Sequence, residues 1–299
     1  MEYLKKIITY IYKPYKILLY LVSRNMIYME DTAFLKLKYK NIIGEKLNLN
    51  NPQTFNEKLQ WLKLNDRKDI YTTMVDKYEV KKYVSDVIGE KYIIPTLGIY
   101  NSFDEIDFEK LPNKFVVKCT HDSGSTIICK DKKKFDIKKA KKKINKALKY
   151  NYYYAGREWP YKNVKPRIII EEYIEDYELK DLRDYKFFCF NGKVNLFKVD
   201  FNRFLEHRAN YYDKNLKLLE FGEEVCPPDF EKKIEIPKDI MKMILLAEKL
   251  ANGTKFVRID FYYTNKKIYF GEMTFYPASG FGKFIPDSWD ERLGEMINL

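Results

Sequence analysis

The stretch VRIDFYYTNKKIYFGEMTFYP, from Val257 to Pro277, sets Asp260 and Glu272 into segments whose alternation reads as two strands around a turn. With the turn centred on Asn265 to Lys267, folding the strands back places Asp260 opposite Glu272, and directly opposed side chains project from one face. Two carboxylates that close repel unless positive charge lies between them, so their complement is a divalent ion or a Lys or Arg. Arg258 lies two residues before Asp260 and shares its face. A salt-bridged sheet edge therefore stands beside metal binding as a reading of the same residues.

A second set starts at Lys118 in KFVVKC, a lysine on an apolar strand followed at once by THDSGST. Burying an ammonium without an anion costs several kcal/mol, about the scale set by unpaired buried charges. Gly124, with Ser123, Ser125 and Thr126 around it, can expose backbone N–H groups to phosphate oxygens, or can simply turn a hairpin. His121 can contact phosphate or hold this loop by a hydrogen bond. Lys186 in RDYKFFCF poses the Lys118 question on another strand, and two lysines aimed into one pocket suit a triphosphate. A third set, IIIEEYI, closes an apolar strand with Glu171 and Glu172. One of them can accept from a ribose hydroxyl or stand near an adenine amino group, with the Tyr173 and Ile174 backbone reading the base edge; an exposed strand end is the plain alternative.

The elements that must position these residues follow from pattern. Thr54 caps a helix through QWLKLND, and TTMVDKYEVKKYVSDVIG reads as one further helix ended by Gly89. KFVVKCTHDSGSTIICK has the form of a hairpin, and DYKFFCF and KVNLFKVDF join through Asn191-Gly192, a strong hairpin signal. HRANYYDKNLKLLEF reads as strand and turn, and PKDIMKMILLAEKLANG as a helix stopping near Gly253. The basic helix from Ile137 carries Ala140, Ile144 and Leu148 as its apolar stripe. Hairpins interspersed with amphipathic helices imply an α+β body with mainly antiparallel sheets.

Composition bounds the rest. The chain has 299 residues, 45% apolar and 16% aromatic, enough to bury a sizeable core. Its net charge of +12 suggests an anionic partner. No zinc-finger spacing, RNP-like motif or helix-turn-helix signature accompanies that charge, so nucleic acid is not the expected partner. Cys119, Cys129, Cys189 and Cys226 lack a CxxC pair and read as buried thiols of a reducing cytosol. Residues 1–28 are apolar at helical spacing but interrupted by Lys5, Lys6, Lys13 and Lys16 and by Pro14. They read as a basic amphipathic segment lying on a membrane surface or on the protein's own body, not as a membrane span.

The motifs NPQTFNEKLQWLKL, DKYEVKKYV, KFVVKCTHDSG, GREWPYKN, IIIEEYI, DYKFFCFNGKV, VRIDFY and FGEMTFYPASGFGKFIP, in this order, resemble the TupA-like proteins of the ATP-grasp superfamily. The resemblance runs from about residue 30 to the C terminus. It implies ATP held between two α+β subdomains, a lid-like one at 113–180 and a catalytic one at 181–299; ahead of them pattern sets the basic amphipathic segment at 1–28, a helical region at 29–75 and a small α/β unit at 76–112. It implies magnesium on Asp260 and Glu272 with Thr274 beside them, and a phosphate-side role for Arg258. It gives Lys118 the nucleotide phosphates, THDSGS the phosphate loop, Glu171 to Ile174 the adenine hinge and Lys186 a second nucleotide contact. The implied activity is an ATP- and magnesium-dependent carboxylate–amine ligase of bacterial capsular polysaccharide or teichuronopeptide synthesis, working through an acylphosphate. Its partners would be a small carboxylate and an amine or sugar-linked acceptor, in the cytoplasm or on the inner membrane face through residues 1–28. Arg157 and Trp159 of GREWPYKN, with Arg203, His207 and Arg208, are candidates for holding the carboxylate or an anionic sugar.

Two residues depart from the common pattern. Thr274 stands where an asparagine ligand is usual, and Asp122 stands where a further glycine would loosen the loop. A carboxylate beside triphosphate is unfavourable unless it turns away. Glycosyl or phosphoryl transfer in capsule assembly, and a non-catalytic membrane-associated scaffold, are the alternative functions.

Overall fold

The computed structural model describes residues 14–175, 182–202 and 206–299. Helices α1 (Pro14–Ser23) and α2 (Asp31–Ile42) lead into α3 (Phe55–Asn65), α4 (Asp69–Val75) and α5 (Glu79–Ile88). Thr54 caps α3 in a reciprocal capping box with Glu57. The single helix expected through TTMVDKYEVKKYVSDVIG is broken in two. Asp76 turns out of the first segment and accepts from the N–H groups of Tyr78 and Glu79, capping the second. Lys77 sits in the break, its N–H donating to the Thr120 carbonyl at 3.0 Å.

The first sheet has four strands in the order β1-β4-β2-β3, with β1 at Thr96–Tyr100, β2 at Phe115–Cys119, β3 at Ile127–Cys129 and β4 at Ile168–Glu172. All its pairings are antiparallel. Alternation along β2 sends Phe115, Val117 and Cys119 into a core shared with α6 (Ile137–Leu148), leaving Val116 and Lys118 for the other face. The expected boundary at residue 112 runs through this sheet, because β1 pairs with β4. The short helix α7 (Tyr153–Gly156) follows α6.

The second sheet has six strands in the order β11-β10-β5-β6-β7-β8. They span β5 (Asp184–Phe190), β6 (Lys193–Phe201), β7 (Arg208–Asp213), β8 (Leu218–Leu219), β10 (Phe256–Thr264) and β11 (Lys267–Thr274). Asn191 and Gly192 have φ of 51° and 79°, the left-handed pair that a tight β5–β6 turn requires. Helix α8 (Ile240–Leu250) packs on β5, β6 and β10, and the Tyr83 hydroxyl of α5 donates to the Leu250 carbonyl. A two-stranded pairing of β9 (Gly222–Glu223) with β12 (Phe284–Ile285) and helix α9 (Ser288–Glu295) complete the body. Phe221 stacks on Trp289 at 3.8 Å between ring centres, tying these last elements together.

All four cysteines are buried and free. Val22 of α1 is buried with Phe34, Leu35 and Tyr39, so the described part of the N-terminal segment lies on the protein's own body. The lysines at 5, 6 and 13 lie outside the described residues. Among the described residues no helix is long and apolar enough to cross a membrane.

Candidate active site

The β10–β11 hairpin pairs Asp260 with Glu272 and Arg258 with Thr274. The turn is shorter than its sequence suggests: Thr264 pairs with Lys267, leaving Asn265 and Lys266 alone at the corner with φ of 49° and 59°. That register by itself would set Asp260 against Gly271 and turn Glu272 to the opposite face. A bulge at Gly271 restores the pairing. A Cβ at Gly271 would lie 3.1 Å from the Asp260 carbonyl, so the bulge suits the one residue that lacks it.

β10 lies inside the sheet, with β5 on its other side and Lys186 directly beside Asp260. Lys186 Nζ is 2.8 Å from both Asp184 Oδ2 and Asp260 Oδ2. Arg258 grips Asp260 with two bonds of 2.7 Å and reaches Glu272 Oε1 at 3.3 Å and Thr274 Oγ1 at 3.2 Å. Burial opposes charge on both cations, yet Asp184 and Asp260 hold the Lys186 ammonium well above its usual range, and Asp260 does the same for Arg258. Burial pushes the Asp260 carboxyl up against the pull of Arg258 and Lys186. Glu272, exposed to the cavity, is held below its ordinary value: desolvation by the cleft walls raises it, and Arg258, Lys77, Lys186 and Lys118 outweigh that.

This cluster closes one end of a cavity of about 680 Å³ between the two sheets. Lys118, Ser123 and Thr126 line its wall from the four-stranded sheet, and Glu172, Tyr173 and Ile174 line it where β4 leaves that sheet. Lys118 Nζ is 2.5 Å from Glu171 Oε2, and Lys81 Nζ is 2.6 Å from Oε1 of the same carboxylate. Burial would raise the Glu171 carboxyl, but the two lysines more than reverse it and hold it below its ordinary value.

Several expected residues come together here and others do not. Lys118, Ser123, Glu171, Glu172, Tyr173, Ile174, Lys186, Asp260 and Glu272 all line the cavity, and Thr274 and Arg258 adjoin its carboxylates. Gly124 forms the loop's left-handed corner at φ 100° with open space around it. Ser125 is turned inward: it accepts from the Cys119 N–H at 2.8 Å and donates to Asp122 Oδ1 at 2.6 Å. The Asp122 carboxylate is therefore spent on its own loop and does not line the cavity. His121 is buried, with Nε2 3.2 Å from the Ala147 carbonyl, and braces the loop against α6. Arg157 does not reach the cavity. Its Nε is 3.0 Å from Asp31 Oδ1 and its guanidinium lies 4.4 Å over the Phe34 ring, a structural anchor for α2. Trp159 packs against the main core, Arg208 pairs with Glu206, and Arg203 lies outside the described residues.

Three residues of the site were not singled out from sequence. Lys77 lines the cavity from the break between α4 and α5 and donates its ammonium to the Asp122 carbonyl. Burial pushes its ammonium down, partly countered by Glu272. Lys81 and Asp184 complete the ion pairs above. An Asp76 three residues before Glu79 is a helix-start signature, and it was the one signal that could have placed Lys77 in a loop.

A profile of the TupA-like ATP-grasp family matches residues 57–298. The chain belongs to the TupA-like ATP-grasp family. No curated protein matches it. Among solved structures, this TupA-like ATP-grasp chain is similar to D-alanine–D-alanine ligase from Bacillus anthracis complexed with ATP, at 15% identity and TM-score 0.42, over 75% of this chain and 63% of that one. It is similar to the Helicobacter pylori D-alanine–D-alanine ligase at 15% identity and TM-score 0.40, over 82% and 69% of the two chains. Thermotoga maritima phosphoribosylamine–glycine ligase matches at 16% identity and TM-score 0.41, over 69% and 48%. The chain spans 57% and 63% of the two Bacillus anthracis ligase chains it matches, and likenesses this remote say nothing of its substrates.

Proposed function

We propose that the protein is an ATP- and magnesium-dependent carboxylate–amine ligase of bacterial cell-surface polysaccharide or teichuronopeptide synthesis, working in the cytoplasm. The observation that carries this reading is the register-matched Asp260–Glu272 pair, with Arg258 and Lys186, at the charged end of a cavity lined at its other end by Glu172 to Ile174. A base and ribose fit against the β4 exit, with the phosphates extending toward Lys118, Lys77 and Lys186. Family membership supports the nucleotide.

The donor set suits a hard cation. Asp260, Glu272 and the Thr274 hydroxyl offer only oxygen; the Glu272 side chain, 47% exposed beside the cavity, is open to an ion, whereas both Asp260 oxygens accept from Arg258 or Lys186, contacts an ion would share or displace. Such an ion supplies Lewis-acid stabilisation of phosphate charge. The chain's own residues do the rest. Arg258 and Lys186 neutralise charge as a substrate carboxylate oxygen attacks the terminal phosphorus and the bond to the bridging oxygen breaks, releasing ADP. An amine then attacks the acyl carbon, inorganic phosphate leaves, and the amine's proton passes to solvent or a base. The Ser123–Gly124 corner, open on its outer side, is placed to shield the activated acyl group from water.

The test is calorimetric binding of ATP with magnesium, alongside assay of ADP, phosphate and new amide. Asp260→Asn or Glu272→Gln is expected to lower magnesium-dependent turnover about 100-fold or more. Folded protein that binds no ATP overturns the proposal, and so does nucleotide release from a nucleotide sugar without ATP consumption. Peripheral attachment through residues 1–28 is the finer part of this reading. Ile17, Tyr20, Met26, Ile27 and Tyr28 are exposed beside Lys16 and Arg24. Loss of binding to anionic vesicles on removing 1–28 is its expected result.

A further inference from the structure

Next to the nucleotide cluster, where β6 of the same sheet meets the loops before β7 and after β9, lies a group of side chains the ligase chemistry leaves unused. Asp200 ends β6, His207 precedes β7, and Cys226 follows β9; one ligand atom from each lies within 4.8 Å of the other two. We propose that Asp200, His207 and Cys226 bind a zinc ion, through a carboxylate oxygen, an imidazole nitrogen and a thiolate.

Asp200 carries the argument. It is 4% exposed, and its Oδ1 makes no hydrogen bond among the described residues. Lys198, Lys186 and His207 lie within 4 Å of this carboxylate and balance its charge, but none of them hydrogen-bonds Oδ1, which is left open to a further cation. Both ammonium groups sit closer to other carboxylates. Lys198 is 3.8 Å from Asp200 Oδ1 but 2.8 Å from Glu223, which also accepts from the Tyr211 hydroxyl at 2.8 Å. Lys186 is 3.8 Å from Asp200 Oδ2 and 2.8 Å from each of Asp184 and Asp260. His207 Nε2 is likewise buried without a hydrogen bond, although it lies 3.3 Å from Asp200 Oδ2. Two ligands of a tetrahedral zinc with bonds of about 2.0 Å sit roughly that far apart.

The donor types decide the metal. One carboxylate, one imidazole and one sulfur favour zinc over magnesium, which takes oxygen alone. Asp200 and a Cys226 thiolate together carry the two negative charges that match a divalent ion. Cys226 would bind as a thiolate, so uptake of the metal releases the thiol proton to solvent. Three protein ligands leave a fourth position for water or a small nitrogen or oxygen ligand. The site is separate from the proposed magnesium ligands, so its failure leaves the nucleotide reading untouched.

The test uses the full untagged chain, reduced and stripped of metal, titrated with zinc against a chromophoric chelator and separately with cobalt(II). The expected results are one zinc per chain and a cobalt spectrum with a thiolate charge-transfer band. Cys226→Ser is expected to remove that band and weaken zinc at least about 10-fold, the lower end of what even outer-sphere losses cost. Cys129→Ser, in the other sheet, should leave both unchanged. His207→Gln gives a second ligand variant should the serine protein fold poorly. Wild-type protein that takes up no zinc beyond the chelator's share overturns the proposal, as does a thiolate band that survives Cys226→Ser in folded protein.

Discussion

Glu171 accepts from two ammonium groups, Lys118 at 2.5 Å and Lys81 at 2.6 Å, while only 4% exposed. Its folded pKa lies below its ordinary value, so its contribution to stability is complete above that ordinary value and is lost as pH falls through the folded one. Glu171→Gln should therefore lower stability at pH 7 and flatten the acid side of a urea-midpoint against pH curve below about pH 5, where a carboxyl begins to take up protons. Lys118→Met leaves Lys81 on Glu171 and should weaken ATP about 10- to 100-fold by calorimetry, the range of one charge-assisted hydrogen bond. At this scale the sequence was legible where a charged residue interrupts an apolar strand, as at Lys118, Lys186, Asp260 and Glu272. It was silent on partners: nothing near Arg157 in the chain announces Asp31, and nothing near Lys118 announces Lys81.

At the scale of elements, Lys63 ties α3 to the end of α7 and to the turn at Pro277–Gly280. Its ammonium donates to Gln60 Oε1 at 2.8 Å, the Gly156 carbonyl at 2.7 Å and the Ser279 carbonyl at 2.9 Å. Lys63→Met would leave two buried acceptors, Gln60 Oε1 and the Gly156 carbonyl, and the part-buried Ser279 carbonyl without that donor and should cost about 3 kcal/mol or more in urea unfolding. A loss under about 1 kcal/mol, the scale of an ordinary neutral hydrogen bond, would show these segments are held otherwise. The hairpins were readable from turn chemistry, above all Asn191-Gly192. The β10–β11 pairing was read correctly from a turn drawn one residue too long, and the Gly271 bulge made up the difference. Turn length and bulge cancel in the count of residues, so only coordinates separate them. The α4–α5 break escaped because hydrophobic spacing continues across it while the Asp76 cap interrupts the helix.

For the whole molecule, the cavity exists only because two separately formed sheets face one another. Lys77 and Asp76 of the helical region bridge to Thr120 and Arg167, which flank β2 and β4 of the four-stranded sheet. A ligand spanning the two sheets should stabilise the fold. At a concentration of magnesium–ATP about 100 times its Kd, linkage predicts about 2.7 kcal/mol, or a rise of about 5 °C or more in Tm. Asp260→Asn should reduce that rise and magnesium omission should shrink it; an equal rise in all three would place the nucleotide elsewhere.

Sequence alone determined which strands alternate and where the tight turns fall, because those depend on a backbone period of two and on residues that accept positive φ; that Asp260 and Glu272 share a face rests on the Gly271 bulge, which the fold supplies. It also carried the ordered motifs that mark the family. Only the tertiary structure decided what each charge touches. Arg157 went to Asp31, Asp122 to its own loop, and Lys77 and Lys81 entered the site, since ion pairs form between whichever groups packing brings within a few ångströms.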